Sequence, residues 1–357
     1  MLTVEQAIRI YRSLKSRRPK VWALAGMRMI GLRHLVIRMD TTNLCNLRCR
    51  MCFYSFEKRR QKQEMDIHLF EKIARAVFPK TKFLYLSCAT EPLMNRSFSQ
   101  FLDCLGGYHV PFTSFCTNGM LLTESVVDSA IRVGLSEVIF SIDGATAATY
   151  EHIRRGAKWD RMLEALDLLR SKKQQAHSEK PVARINFTCM ACNTRELPDL
   201  LPLAAAHGVN SIHVRHLVVP LGEGGDTVAR EGLGYRAEFN AVAERSRMVA
   251  RDLGLHLSLP DPVPDTLHRE PEPVNRRHER NPYCLLPWIQ AIIKPSGDYQ
   301  VCSRLPYFGN LMKQPFDNIY NGDDMRRLRR SILQRRPDSC AWTCGHDAHS
   351  ASAREDQ

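Results

Sequence analysis

The chain contains no run that approaches the roughly eighteen consecutive apolar residues a membrane-spanning helix needs. Its first residues, Met1-Leu2-Thr3-Val4-Glu5, lack the basic-then-apolar pattern of a secretory leader. No internal repeat is visible, and aromatic residues are scarce among the basic runs: Arg326-Arg327-Leu328-Arg329-Arg330 has none. Single-strand nucleic-acid sites interleave basic residues with aromatics that stack on bases. These absences speak against a membrane span, a secreted disulfide scaffold and a repeat array, and nucleic acid is not expected as a partner. A cytoplasmic location is the expectation.

Against that background the chain is rich in cysteine and in positive charge. Its 357 residues carry 12 cysteines and a formal net charge of +13. Without a leader, that many thiols points to a reducing compartment and metal ligation rather than disulfides. The basic surplus has two readings, an anionic partner or a solvated basic surface. A hydrophobic content of 44% allows a sizeable core.

The order of periodic segments is that of an α/β fold. Strand-like runs at 35–40, 83–87, 112–116, 137–142, 183–190 and 211–216 alternate with helical stretches at 67–78, 98–105, 123–133, 159–170 and 196–207. Short connections between such units imply a parallel sheet with helices outside it. Residues 1–34 read as a basic helical segment and 35–216 as the α/β core. Residues 217–283, with a helix at 235–253 and six prolines beyond it, read as a linker or lid. Residues 284–346 form a small cysteine-rich unit and 347–357 a disordered tail.

Three thiols, Cys45, Cys49 and Cys52, stand within eight residues, in a polar loop just after the first strand. Iron–sulfur clusters are held by cysteine thiolates, usually four. Three so close leave one iron of a four-iron cluster open to a substrate or cosubstrate. The alternative is structural zinc, which favours paired cysteines; no second pair follows within the next thirty residues. The spacing Cys-x₃-Cys-x₂-Cys, followed by Phe53, resembles the signature of the radical S-adenosylmethionine (SAM) enzymes. The resemblance implies that the open iron chelates SAM and that the reduced cluster splits it to a 5′-deoxyadenosyl radical, with Cys45, Cys49 and Cys52 as the catalytic ligands. It also selects a partial (βα)6 TIM-like barrel over an open doubly wound sheet, two folds that periodicity does not separate.

Further residues are assigned by the same resemblance. Ligands of parallel α/β sheets bind at the carboxyl ends of the strands, and the matching positions fall there. Glu91, in Ser87-Cys88-Ala89-Thr90-Glu91-Pro92, would meet the SAM amino group, although Ala89 and Thr90 stand where the family has glycines. Asn118 lies in the turn after the third strand. Ser141 and Arg154 would meet the SAM carboxylate, Asp143 would orient ribose or substrate, and Asn193 would lie near the adenosine. Each has a plainer reading as a cap or turn residue. Cys88, Cys116 and Cys189, near strand ends, are expected to be structural, with lining of the cavity as the alternative.

Near the C-terminal end, Cys284 and Cys302 bracket a hairpin whose turn is Pro295-Ser296-Gly297-Asp298, and Cys340 and Cys344 follow a basic helix. This set resembles the auxiliary-cluster extension of radical SAM proteins, the SPASM/twitch type, in its shorter form. The resemblance implies a second four-iron cluster on Cys284, Cys302, Cys340 and Cys344, with His346 as a reserve ligand; structural zinc is again the alternative. The implied activity is a radical SAM oxidoreductase acting on a small polar substrate, carbohydrate-like or nucleotide-linked, with an electron donor such as flavodoxin or ferredoxin. The alternatives are a maturase of a ribosomal peptide and a zinc-stabilised nucleic-acid-binding protein.

Overall fold

The protein is described here as a computed structural model covering residues 31–56, 61–87, 89–217, 236–262, 284–303 and 305–334, together with Gly26. The basic segment expected at 1–34 falls almost wholly outside these residues. So do Cys88, Cys340, Cys344, His346 and the tail.

Strand β1, Leu35–Met39, shows how the sheet is made. Leu35, Ile37 and Met39 are fully buried, while Val36 and Arg38 between them point to the other face. That is the period of two expected of a strand. Strands β2 (Thr81–Leu86), β3 (Phe112–Thr117), β4 (Glu137–Ser141), β5 (Val182–Cys189) and β6 (Ser211–His216) follow. All six pair in parallel in chain order. Between them run the helices α1 (Ile67–Val77), α2 (Phe98–Leu105), α3 (Glu124–Arg132), α4 (Ala147–Ile153), α5 (Trp159–Gln175) and α6 (Leu197–Ala206). Helix α1 begins where the Asp66 carboxylate accepts from the Leu69 N–H, satisfying one of the otherwise unpaired donors of its first turn.

The helices cover one face of the sheet. Phe70 and Phe101 stack there at 4.5 Å, and Phe98 meets Phe115 edge-on at 5.0 Å. Each such ring, removed from water, contributes about 1.5–3 kcal/mol. The other face is concave. Arg38 on β1 and Arg215 on β6 interact electrostatically. On a flat sheet five strand spacings would hold them roughly 24 Å apart, so the sheet curls and brings its two flanks to face one another. This is the expected partial barrel.

Two regions differ from the sequence reading. Part of the stretch read as linker or lid is built into the barrel: helix α7, Arg236–Asp252, packs on α6, and β7, His256–Ser258, pairs in parallel with β6. The hairpin of the cysteine-rich unit is not a separate sheet either. Its first strand, β8 (Gln290–Ile293), pairs in parallel with β1, and β9 (Asp298–Gln300) and β10 (Gly309–Asn310) continue antiparallel from it. The result is a ten-stranded sheet ordered β10-β9-β8-β1-β2-β3-β4-β5-β6-β7. A pairing that joins residues about 250 positions apart leaves no local trace in sequence. Helices α8 (Phe316–Tyr320) and α9 (Asp323–Leu333) close the described part of the chain, with Tyr320 donating to the Trp288 carbonyl at 2.6 Å.

Candidate active site

The cysteine loop leaves β1 at its carboxyl end and is clamped from both sides. The Arg48 and Arg50 N–H groups donate to the carbonyls of Arg155 and Ile153, each at 2.9 Å, tying the loop to the end of α4. On the other side the Glu91 N–H donates to the Leu44 carbonyl at 3.1 Å, and the Thr90 hydroxyl to the Thr42 carbonyl at 2.6 Å. Thr90, where the family has glycine, thus has a local task as a tether. Ser87, just before it, adopts a φ of 70°, a left-handed conformation rare for a residue with a Cβ.

Gly156 closes the clamp. Its φ is +94°, and a Cβ there would lie 3.4 Å from the Leu47 side chain. Gly156→Ala is expected to destabilise the protein by about 1–2 kcal/mol, the strain of a left-handed L-residue. Thermal unfolding measures it, and an unchanged midpoint would show that the loop tolerates the methyl.

The three thiols lie within electrostatic range of one another. Cys49 is buried; Cys45 and Cys52 are half-buried. Burial raises the Cys45 thiol above its ordinary value and pushes Cys49 up to about 11, the latter opposed chiefly by Arg154. Loading of iron must therefore displace protons. Arg154 sits directly below: its Nη1 donates to Cys49 Sγ at 3.9 Å and its Nη2 lies 2.6 Å from Asp143 Oδ2. Burial alone would lower its basicity; Asp143, then Cys49, more than reverse this and keep the guanidinium charged. The Arg154 Nε is buried without a hydrogen-bond partner.

This donor set suits an anionic iron–sulfur core. One loop carries three thiols, and a buried cation with an unused donor stands beside one of them. Among the described residues no three His, Cys, Asp or Glu side chains meet closely enough to hold a single metal ion. The thiols share a field rather than one coordination point.

The other predicted residues gather at the same end of the barrel. Glu91 is 2% exposed. Its carboxylate accepts from the Thr117 hydroxyl and the Asn118 N–H, both at 2.7 Å, and from the Leu93 N–H at 3.3 Å. Burial, outweighing these bonds, pushes its pKa up to about 7. Asn118 donates from its side chain to Asn46 Oδ1 at 2.8 Å, bridging β3 to the cysteine loop. Asp143 accepts from the Thr188 N–H at 2.7 Å. Asn193 directs both donors to backbone, the carbonyls of Asp143 (3.0 Å) and Thr188 (2.9 Å), so its amide joins the loops after β4 and β5. Ser141 contacts Cys116 Sγ at 3.3 Å on the concave side, whereas Cys189 is buried among the outer packing. Of the strand-end cysteines described, Cys116 is the one that faces the cavity.

Sequence reasoning missed two groups here. Glu196 accepts from the Ala145 N–H at 2.7 Å and from the Thr149 hydroxyl, holding the start of α4. Lys294, at the end of β8, pairs with buried Asp40 at 3.1 Å, beside the root of the cysteine loop. Burial lowers its basicity, but Asp40 and then Tyr54 raise it on balance. Both pairings depend on strands meeting, and no motif marks them.

The two described cysteines of the second set lie at the opposite end. Because β8 runs parallel to β1, with Val36 beside Gln290, Cys284 and Cys302 belong to the amino-terminal edge of the sheet. Both are half-buried.

Comparison with known proteins finds two family models and a shared fold. Residues 39–179 match the family model of the radical SAM superfamily, and residues 284–345 that of SPASM, an iron–sulfur cluster-binding domain. The tungsten-containing aldehyde ferredoxin oxidoreductase cofactor-modifying protein of Pyrococcus furiosus is 25% identical over 230 residues, 62% of this chain and 61% of that protein. The mycofactocin maturase MftC of Mycolicibacterium smegmatis is 25% identical over 230 residues, 63% of this chain and 56% of that protein. Both alignments cover less than two thirds of the relative's length. The crystal structure of Streptococcus suis SuiB bound to S-adenosylmethionine shares the fold, with a TM-score of 0.65 at 14% identity, covering 92% of this chain and 80% of that one. Among the described residues no helix is long and apolar enough to cross a membrane.

Proposed function

The chain belongs to the radical SAM superfamily and carries a C-terminal SPASM domain, and from that premise we propose that it oxidises a polar substrate held on the concave face of the barrel, between two iron–sulfur clusters. A radical SAM domain implies a four-iron cluster that binds SAM, and a SPASM domain implies further iron–sulfur cluster binding. When bound, the first cluster and SAM supply a 5′-deoxyadenosyl radical able to take hydrogen from an unactivated C–H bond. Cys45, Cys49 and Cys52 would hold that cluster. Glu91 and Asn118 would line the SAM amino end, Ser141 and Arg154 its carboxylate, and Asn193 would fix the loops near its adenosine. Of these, Glu91, Arg154 and Asn193 already hold protein groups; their part is to set the shape of the site as much as to touch the cosubstrate. Cys284 and Cys302, with Cys340 and Cys344, would hold the second cluster.

The observation that carries this reading is the placement of Cys45, Cys49 and Cys52 at one edge of the sheet and of Cys284 and Cys302 at the other. They are separated by at least four residues of strand, roughly 13 Å. A substrate on the concave face between them can lose hydrogen at one end and pass an electron to the other. Such an oxidation suits a small carbohydrate-like or nucleotide-linked substrate, with a flavodoxin or ferredoxin as reductant. A second reading is maturation of a peptide. It is favoured by the similarity to MftC, named a maturase, and by a SuiB structure solved with its precursor peptide SuiA.

Anaerobically reconstituted full-length protein is expected to hold about eight irons, two four-iron clusters, and to release 5′-deoxyadenosine from SAM under a strong reductant. The double variant Cys284→Ala/Cys302→Ala should lose about half of that iron and still cleave SAM. Protein that takes up zinc and no iron would overturn the reading.

A further inference from the structure

The concave face carries more positive charge than its acids can balance. Arg38, Arg184 and Arg215 all alternate with residues of the outer core, so all three project from the inner face of the sheet. They come from β1, β5 and β6, yet Arg215 interacts electrostatically with both of the others and with Cys116, the cysteine that faces the cavity. Burial, then the like charge of Arg184, lowers the basicity of Arg215, with Arg38 adding to the effect. Arg184 is paired with Glu137 at 3.3 Å, off the direction of a good hydrogen bond. Arg38 lies over the Tyr85 ring at 5.8 Å. The Arg215 side chain has no ion pair or hydrogen bond among the described residues, and its Nε is buried.

The neighbouring carboxylates are committed elsewhere. Asp40 holds Lys294, Asp143 holds Arg154, and Glu91 accepts from Thr117 and Asn118. Glu137 answers Arg184, which leaves Arg38 and Arg215 without a carboxylate of their own. The Nε of Arg184 and the Ser114 hydroxyl, on the same face, are likewise buried without partners. A buried cation left unpaired is costly, as is a buried donor with nothing to donate to. A fold keeps such groups where a ligand completes them. Two uncompensated positive charges and a set of unused N–H and O–H donors call for an oxyanion, which guanidinium forks bind in a bidentate manner.

We propose that Arg38, Arg184 and Arg215 form an oxyanion-binding site on the inner face of the barrel that holds a carboxylate or phosphate group of the substrate. This rests on the reading of the concave face as the substrate site, and it defines the substrate as an anion anchored between the two thiol sets. The group is held by β5 and β6 from one flank and β1 from the other, so it also fixes how far the rest of the substrate reaches toward the cysteine loop.

The test is calorimetric titration of the full-length, cluster-loaded protein with inorganic phosphate and, separately, with glutarate, at constant ionic strength. At least one of the two is expected to bind, and Arg215→Met to weaken it by roughly tenfold or more, the worth of a charged hydrogen bond. Binding of phosphate alone identifies a phosphorylated substrate, and of glutarate alone a carboxylate. Without added anion, Arg215→Met should melt at a higher temperature than the wild type, because like-charge repulsion is relieved; an arginine with a structural role would give the reverse. Arg38→Met provides the same pair of readings should the first variant not be recovered. Wild-type protein that binds neither anion overturns the proposal. So do variants of undiminished affinity, or variants that all melt lower in buffer. Iron content and SAM binding are read on the same samples: their loss would count against the proposed function, while the anion titration stands by itself.

Discussion

Replacing Cys45, Cys49 and Cys52 together by alanine is expected to abolish 5′-deoxyadenosine formation, to the limit of chromatographic detection. Thiolates are the ligands of an iron–sulfur core, and alanine offers no donor. No nearby group can substitute. Glu91 is bound to Thr117 and Asn118, Asp143 to Arg154, and His152, which meets the loop, does so through the Arg50 guanidinium. The variant should also lose the iron of the first cluster while keeping that of the second, because Cys284 and Cys302 stand at the opposite edge of the sheet. The chain should remain folded, since the loop is pinned by backbone bonds from Arg48 and Arg50 rather than by the thiols. SAM cleavage at the wild-type rate by the triple variant would refute the assignment.

The largest effect on stability is expected at Asp143. Its side chain is fully buried, and that of Arg154 is 11% exposed. Asp143→Ala leaves the guanidinium charged in a place that water scarcely reaches, and takes the acceptor from the Thr188 N–H as well. Loss of one partner of a buried ion pair costs roughly 3–5 kcal/mol. Chemical denaturation measures the difference, and a loss well below 1 kcal/mol would show that Arg154 finds another partner. The change should reach the cysteine loop too, because Arg154 donates to Cys49 and the segment ending in Ile153 and Arg155 receives the loop's N–H groups. Reduced iron retention in the same variant would show this directly.

The chemistry was legible because it resides in short, local patterns. Three thiols in one loop need no knowledge of the fold to announce a cluster, and period-two runs such as Leu35–Met39 disclose strands as soon as one face is buried. The alternation of strands and helices implied the parallel sheet for the same reason. The strand-end residues were legible as a group, since Glu91, Asn118, Ser141, Asp143 and Asn193 all lie at or just beyond a strand's carboxyl end, but their individual partners were not. Asn193, expected near adenosine, directs its amide to backbone carbonyls after β4 and β5. Thr90, expected only to alter an approach to SAM, anchors the loop through Thr42. Such roles depend on which carbonyl a hydroxyl or amide can reach, a matter of ångströms that residue type does not encode.

By itself, then, the sequence determined the class of chemistry, the parallel α/β architecture and the two sets of thiols, because each of these follows from spacing along the chain. Only the tertiary structure decided that the C-terminal hairpin joins the barrel beside β1, that Cys284 and Cys302 stand at the edge opposite the cysteine loop, and that arginines from β1, β5 and β6 project from one face. Those facts arise from strand pairing and sheet curvature, which bring together residues from 35 to 301 that share no local signal.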